Sequence, residues 1–267
     1  MADAAGAHVW GNTATYEAYM GRWSRPVAEA ALAWLGLPPG LGWLDVGCGT
    51  GALSEVILKV TDPREILGVD PSADFLAAAA QIADPRVRFA IGNAGALPAS
   101  DDAYDAVVAG LVLHFVPDPP PAVREMARAA RHGGTVAAYV WDYAGKMELM
   151  RYFWDAAVEL DPAAQSFDEG VRFPLCSAQA LEELFRAAGL ADVTARAIDA
   201  PTVFRDFEDY WRPFLGGQAP APAYCMSLDE EKRAALRERI RSKLPVRPDG
   251  SIHLIARAWA VKGVAPL

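Results

Sequence analysis

The sequence predicts an α/β fold, a doubly wound parallel sheet with helices on both faces, and three observations carry the prediction. Between Pro38 and Trp141 short β-like runs alternate with helical segments, the rhythm of a parallel sheet covered by helices. A glycine-rich turn, Gly47-Cys48-Gly49-Thr50-Gly51, falls where the first strand gives way to a helix. The 267 residues are 52% hydrophobic, enough to bury one large core with decorations.

Taken in order, residues 1–37 are expected to form an N-terminal helical cap ahead of the first strand. Strands are expected at 42–46, 66–69, 87–91, 103–109 and 135–141. Helices over 52–60, 73–83 and 122–131 connect them, the second nearly pure alanine with Phe75, Leu76 and Ile82 to pack. The prolines at 119–121 read as a rigid lead into the third helix. These crossovers are long enough for right-handed βαβ units.

Beyond Trp141 the rhythm changes. A helix is expected over 146–160, then a proline-containing loop, then a helix over 177–188 stopped by Gly189. Residues 193–198 and 252–261 complete the strands. The stretch 201–250 is too long for a loop in a compact sheet and predicts a folded insertion. The organisation is thus a single domain over 1–267 with lid insertions at 143–175 and 201–250. In the second insertion Ser227-Leu228-Asp229-Glu230 reads as a capping box before Leu236, Ile240 and Leu244 at helical spacing. The basic run 232–247 is therefore expected to be the solvated face of an amphipathic helix.

A formal net charge of −9 repels polyanions, so no nucleic-acid partner is expected. Cys48, Cys176 and Cys225 are widely separated, with neither zinc-site nor disulfide spacing. The first eleven residues lack the pattern of a signal peptide, and the longest uncharged apolar run, 106–117, is shorter than the ~20 residues of a membrane span. A cytoplasmic protein with no membrane partner is expected; the sequence does not set its oligomeric state.

The run Leu44-Asp45-Val46-Gly47-Cys48-Gly49-Thr50-Gly51 carries the chemistry. Glycines there let the backbone turn sharply and let a ligand approach it. The spacing is ambiguous by itself, because Gly47, Gly49 and Ala52 also satisfy the dinucleotide pattern. Asp45, two residues before the first glycine, favours a ligand ammonium group over a pyrophosphate. Asp70, in Gly68-Val69-Asp70-Pro71-Ser72, is placed to accept both hydroxyls of a ribose, as it would be in either class.

With Ile91-Gly92-Asn93-Ala94 after the third strand, Tyr104-Asp105-Ala106-Val107-Val108 and the turn 111–117 after the fourth, and Arg131-His132-Gly133-Gly134-Thr135 before the fifth, the chain resembles the class I S-adenosylmethionine-dependent methyltransferases, including quinone-biosynthesis-like enzymes. The resemblance is firm over 16–141. It implies a Rossmann-like seven-stranded sheet in the order 3-2-1-4-5-7-6, the last strand antiparallel, with S-adenosylmethionine as cofactor at the carboxyl ends of strands 1 and 4. By the same resemblance Asp45, Gly47, Gly49, Gly51, Asp70, Ser72, Asn93, Ala94 and Leu111 contact the cofactor, Asn93 standing where Asp is frequent and accepting from the adenine amino group.

Methyl transfer from a sulfonium is an in-line displacement of an already activated group, so alignment and water exclusion are the main demands. His114, on the turn after the fourth strand, is the candidate catalytic residue, since imidazole ordinarily titrates near neutrality, with a histidine that simply hydrogen-bonds within the turn as its alternative. Asp118-Pro119-Pro120-Pro121 lacks the aromatic residue of the amide N-methyltransferase signature that it superficially resembles. Tyr16, Trp141 and Trp211 are expected to line a largely closed, apolar acceptor pocket. Arg22, between Gly21 and Trp23, is expected to clamp the cofactor carboxylate, with a surface ion pair to an acid such as Glu17 as its alternative. No carboxylate cluster stands at metal-ligand spacing, so metal-independent transfer to a small-molecule acceptor is expected. An NAD-binding oxidoreductase, or a non-catalytic domain binding S-adenosylmethionine or S-adenosylhomocysteine, remain as alternatives.

Overall fold

The computed structural model describes residues 21–217 and 219–266. The chain runs through α1 (Arg22–Leu35), β1 (Gly42–Val46), α2 (Ala52–Thr61), β2 (Glu65–Asp70), α3 (Ala73–Ala79), β3 (Val87–Ile91), β4 (Tyr104–Gly110), α4 (Pro119–Ala129) and β5 (Ala130–Trp141). It continues through α5 (Glu148–Leu160), α6 (Glu169–Arg172), α7 (Ala178–Ala187), β6 (Ala191–Phe204), α8 (Phe207–Trp211), α9 (Pro220–Ser227), α10 (Glu230–Lys243) and β7 (Ile252–Val264). The seven strands form one sheet in the order β3-β2-β1-β4-β5-β7-β6, with β7 antiparallel.

Parallel ladders place Asp45 of β1 opposite Gly68 of β2 and Leu44 opposite Val107 of β4. All five residues of β1 are buried, as befits a central strand covered on both faces, and Asp45 is the one charge in it. The order reverses between β1 and β4, and it is at such a reversal that doubly wound sheets take a ligand outside the strands' carboxyl ends.

The chain divides into two compact units. The sheet unit holds Ser24–Val140, Ser177–Ile198 and the chain from Ala258 onward; its core joins Leu44, Ile57, Ile66, Val107, Met126 and Val136. The helical unit holds Trp141–Cys176 and Asp199–Arg257 together with residues 21–23. Its core is aromatic: Phe153 stacks on Phe214 with centroids 4.5 Å apart, and the Tyr210 hydroxyl donates to the Leu149 carbonyl at 2.8 Å. Ring stacking and a satisfied phenol allow so many large side chains to be buried together.

Several boundaries differ from the sequence expectation. The helix expected at 122–131 is α4, Pro119–Ala129, with the prolines inside its first turn, where backbone N–H groups have no helical acceptor to lose. β5 begins at Ala130, so the Arg131–Thr135 run lies in the strand rather than before it, bent at left-handed Gly133 (φ 73°). α3 ends at Ala79 instead of 83, and β6 reaches Phe204, so the insertion expected from 201 starts inside a strand.

The cap of α10 is Asp229, whose side chain accepts from Lys232 N at 2.8 Å, not Ser227, which donates to the Tyr224 carbonyl and closes α9. α10 carries acids in its first turn and bases in its last; Arg239 and Lys243 pair with Glu159 of α5, while Leu236 and Ile240 are buried. No helix among the described residues is long and apolar enough to cross a membrane.

Candidate functional site

The turn after β1 is held by its neighbour strand. Gly47 N and Cys48 N both donate to the Val69 carbonyl, at 2.7 and 3.1 Å. Asp70 follows at the end of β2; its carboxylate accepts from Gly49 N at 3.0 Å and from Ser72 N at 2.8 Å, tying the first turn to the second. Gly47 and Gly51 are left-handed, with φ of 71° and 87°. A Cβ on Gly47 would lie 2.5 Å from a Val112 methyl, and one on Gly51 would lie 2.6 Å from Ile82 Cδ1. Gly49 differs, since a Cβ there meets nothing within 4 Å. Two glycines thus permit close packing, and the third faces open space.

Asp45 sits below this turn and is 1% exposed. Its Oδ2 accepts from the Ser54 hydroxyl at 2.7 Å, while its Oδ1 is buried with no hydrogen-bond partner among the described residues. Burial, with the charge of Asp70 adding to it, pushes the Asp45 carboxyl up to about 7. Burial also raises Asp70, against the two N–H groups that favour its charged form. The orphaned oxygen of Asp45 favours a cation over a pyrophosphate. S-adenosylmethionine, with its ammonium and sulfonium groups, fits this donor set.

The other residues expected at the cofactor have these places. Ser72 caps α3, accepting from Phe75 N at 3.3 Å. Asn93 is exposed and its Oδ1 accepts from Gly95 N at 2.8 Å, which leaves one lone pair of that oxygen for a ligand donor, and half-buried Ala94 follows it. Leu111 is left-handed with φ 60°, and its N–H donates to the Tyr139 carbonyl at 2.8 Å. That conformation costs a non-glycine residue about 1–2 kcal/mol, and strain of this kind gathers at functional turns.

His114 follows on a short 3-10 turn, Leu113–Phe115. The expectation that it titrates near neutrality is corrected: burial pushes its imidazole down to about 3, so the ring is neutral and weakly basic at pH 7.

Within the helical unit, Trp141 and Trp211 are buried, and Trp211 lies parallel to Phe207 at 6.3 Å. Tyr16 lies outside the described residues. The Arg22 guanidinium donates to Asp209 at 3.3 Å and to the Val203 carbonyl at 3.1 Å, and covers the rings of Trp23 and Phe204. Among the described residues its acid is Asp209; Glu17 lies outside them.

A groove of about 370 Å³ opens in this unit beside Arg151, Asp155, Asp168 and Gly170. It is open and polar, and neither Trp141 nor Trp211 lines it. Arg151 makes a fork to Asp168 at 2.9 and 2.8 Å. Among the described residues no group of three or more His, Cys, Asp or Glu is placed to hold a metal ion.

Sequence reasoning missed Ser54, which holds Asp45; Val112, which fills the space over Gly47; and the Val69 and Tyr139 carbonyls, which anchor the two turns. Only Ser54 carried a signal, a polar residue on the inward side of a helix otherwise burying Leu53, Val56 and Ile57.

Residues 44–138 match the family model described as a methyltransferase domain. The demethylmenaquinone methyltransferase of Roseiflexus castenholzii is 34% identical over 179 residues, covering 61% of this chain and 74% of that one. The 2-methyl-6-phytyl-1,4-hydroquinone methyltransferase of a Synechocystis strain is 26% identical over 186 residues, 68% of this chain and 57% of that one. Among solved structures, phosphoethanolamine N-methyltransferase 2 of Haemonchus contortus, in complex with S-adenosylhomocysteine, has the same fold, with a TM-score of 0.59 at 17% identity over 95% of this chain and 56% of that one.

Proposed function

The chain belongs to the class I S-adenosylmethionine-dependent methyltransferases, and from that premise we propose that this enzyme methylates a quinol-type aromatic small molecule, with Asp45, Asp70 and the Gly47–Gly51 turn holding the donor. The observation that carries the cofactor assignment is the orphaned Oδ1 of Asp45, buried beside a second acid where a cationic group would satisfy it. A dinucleotide would bring its pyrophosphate to this turn against Asp45, which speaks against the oxidoreductase reading, while Asp70 suits a ribose in either class. The aromatic acceptor rests on the relatives, two of which are named for demethylmenaquinone and a phytyl hydroquinone.

S-adenosylmethionine supplies a methyl group on a positively charged sulfur, ready for displacement. The chain's own residues do the rest. Asp45 Oδ1 receives the ammonium group, Asp70 the ribose hydroxyls, Asn93 and Ala94 the adenine edge, and Gly49 leaves room for the ligand. The strained Leu111 shapes the turn that bears His114. Because His114 is neutral and weakly basic, its role is to orient an acceptor oxygen by a hydrogen bond rather than to remove its proton. An electron-rich quinol ring needs no strong base before it attacks.

The test is methyl transfer from labelled S-adenosylmethionine to demethylmenaquinol and to reduced 2-phytyl-1,4-naphthoquinone, with phosphoethanolamine as the contrasting acceptor. Label in the quinols, undiminished by EDTA, is the expected result. Label in phosphoethanolamine alone would replace the aromatic acceptor with an amine.

A further inference from the structure

The two turns of the site meet at one side chain. The Cβ and both γ-methyls of Val112 lie 2.5–2.9 Å from where a Gly47 Cβ would stand, so Val112 occupies the space that the missing side chain leaves. On one side of this contact Gly47 and Cys48 are fixed to the Val69 carbonyl and Gly49 to Asp70. On the other, the Val112 carbonyl accepts from Phe115 N at 2.8 Å and opens the 3-10 turn that contains His114.

Two further contacts aim Val112. The residue before it, Leu111, is held left-handed by its bond to Tyr139. At Gly110 before that, a Cβ would lie 2.5 Å from the Tyr139 hydroxyl and 3.0 Å from Leu53 Cδ2, so a side chain there would press on both. A β-branched side chain has a stiff χ1, so Val112 acts as a rigid spacer across the point where the sheet reverses.

We propose that Val112 is a positioning residue that sets the spacing between the donor-binding turn after β1 and the His114 turn after β4. The inference rests on the donor assignment above. Displacements near 1 Å at such a contact are enough to misalign donor and acceptor. The spacing would act on ligand affinity through the shape of the Gly47–Gly49 turn, and on transfer through the place of His114.

The test is a double-mutant cycle on the full chain, with S-adenosylhomocysteine affinity read by calorimetry and folding followed by thermal unfolding. Gly47→Ala forces a methyl into Val112 and is expected to weaken binding at least about 30-fold; Val112→Ala alone weakens it about threefold to tenfold. In the double variant the two γ-methyls are gone and only the Cβ at position 112, 2.9 Å from the new methyl, still has to shift, so binding recovers in part, at least about threefold over Gly47→Ala. Val112→Thr keeps the branched shape at this half-buried position and binds within about twofold of the parent.

Losses that simply multiply in the double variant would overturn the proposal. So would a Val112→Thr variant as weak as Val112→Ala, a comparison that stands even where Gly47→Ala fails to fold. A parent protein that does not bind S-adenosylhomocysteine would instead remove the donor assignment, and this proposal with it.

Discussion

Replacing Asp45 by Asn isolates the most informative ionisation in the site. The Asp45 carboxyl rises from 3.8 to about 7 on folding, mainly by burial. Three pH units correspond to about 4 kcal/mol at 1.36 kcal/mol each, an upper figure. Between pH 4 and 7 the unfolded chain carries this group ionised while the folded chain keeps it protonated. The contribution of Asp45 to stability is therefore full below about pH 4 and is lost as pH rises through 7.

His114 works in the opposite direction. Its imidazole falls from 6.5 to about 3, so its contribution is full above about pH 6.5 and is lost as pH falls toward 3, by roughly 5 kcal/mol at most. The two slopes oppose each other between about pH 4 and 6.5. Urea unfolding of the ligand-free protein should accordingly vary little over that window, whereas Asp45→Asn should lose stability steadily on acidification. Parallel curves for parent and variant would refute the reasoning. A bound ammonium group at Oδ1 ionises Asp45, so S-adenosylhomocysteine should displace about 0.9 proton per site at pH 6 and about 0.1 at pH 8. Calorimetry in buffers of different ionisation enthalpy measures this, and an equal proton count for Asp45→Asn at pH 6 would contradict the assignment.

Asp70→Asn keeps a carbonyl for one of the two N–H groups that the carboxylate holds and removes charge-assisted bonds to the ribose, each worth about 1.5–3 kcal/mol. Calorimetry should show S-adenosylhomocysteine bound at least tenfold more weakly by this criterion, and unchanged affinity would place the ribose elsewhere. Asp168→Asn breaks the fork to Arg151, whose side chain is only 16% exposed, and should cost about 3 kcal/mol. Hydrogen exchange should report it first in α5 and α6; protection as in the parent protein would count against it. Arg22→Ala removes a pair to Asp209 that is partly exposed on both sides, so stability should fall by at most about 1 kcal/mol, with S-adenosylhomocysteine and adenosine affinities moving together. A loss for S-adenosylhomocysteine alone would return the carboxylate clamp to Arg22.

The order and type of elements through β5 are legible in the sequence because they arise locally. A continuous apolar run from Gly42 to Val46, a glycine turn and an alanine-rich helix state their conformations through side-chain periodicity and backbone preference within a few residues. The strand order, by contrast, is implied by the family resemblance and is displayed only by the pairing of the strands in the structure. The acids at 45 and 70 are likewise visible in the sequence, because their chemistry lies in their identity and in their place at strand ends.

Only the tertiary structure decides what those groups experience. The burial of Asp45 and its orphaned oxygen depend on Ser54 and on the strands flanking β1, and the low basicity of His114 depends on its removal from water, a property no residue type carries alone. Arg22 finds Asp209, 187 residues away in the chain, and Val112 finds Gly47 across the point where the sheet reverses. Local preference sets which elements form; desolvation and contact between distant residues are set when the elements pack, and they determine charge, strain and spacing at the site.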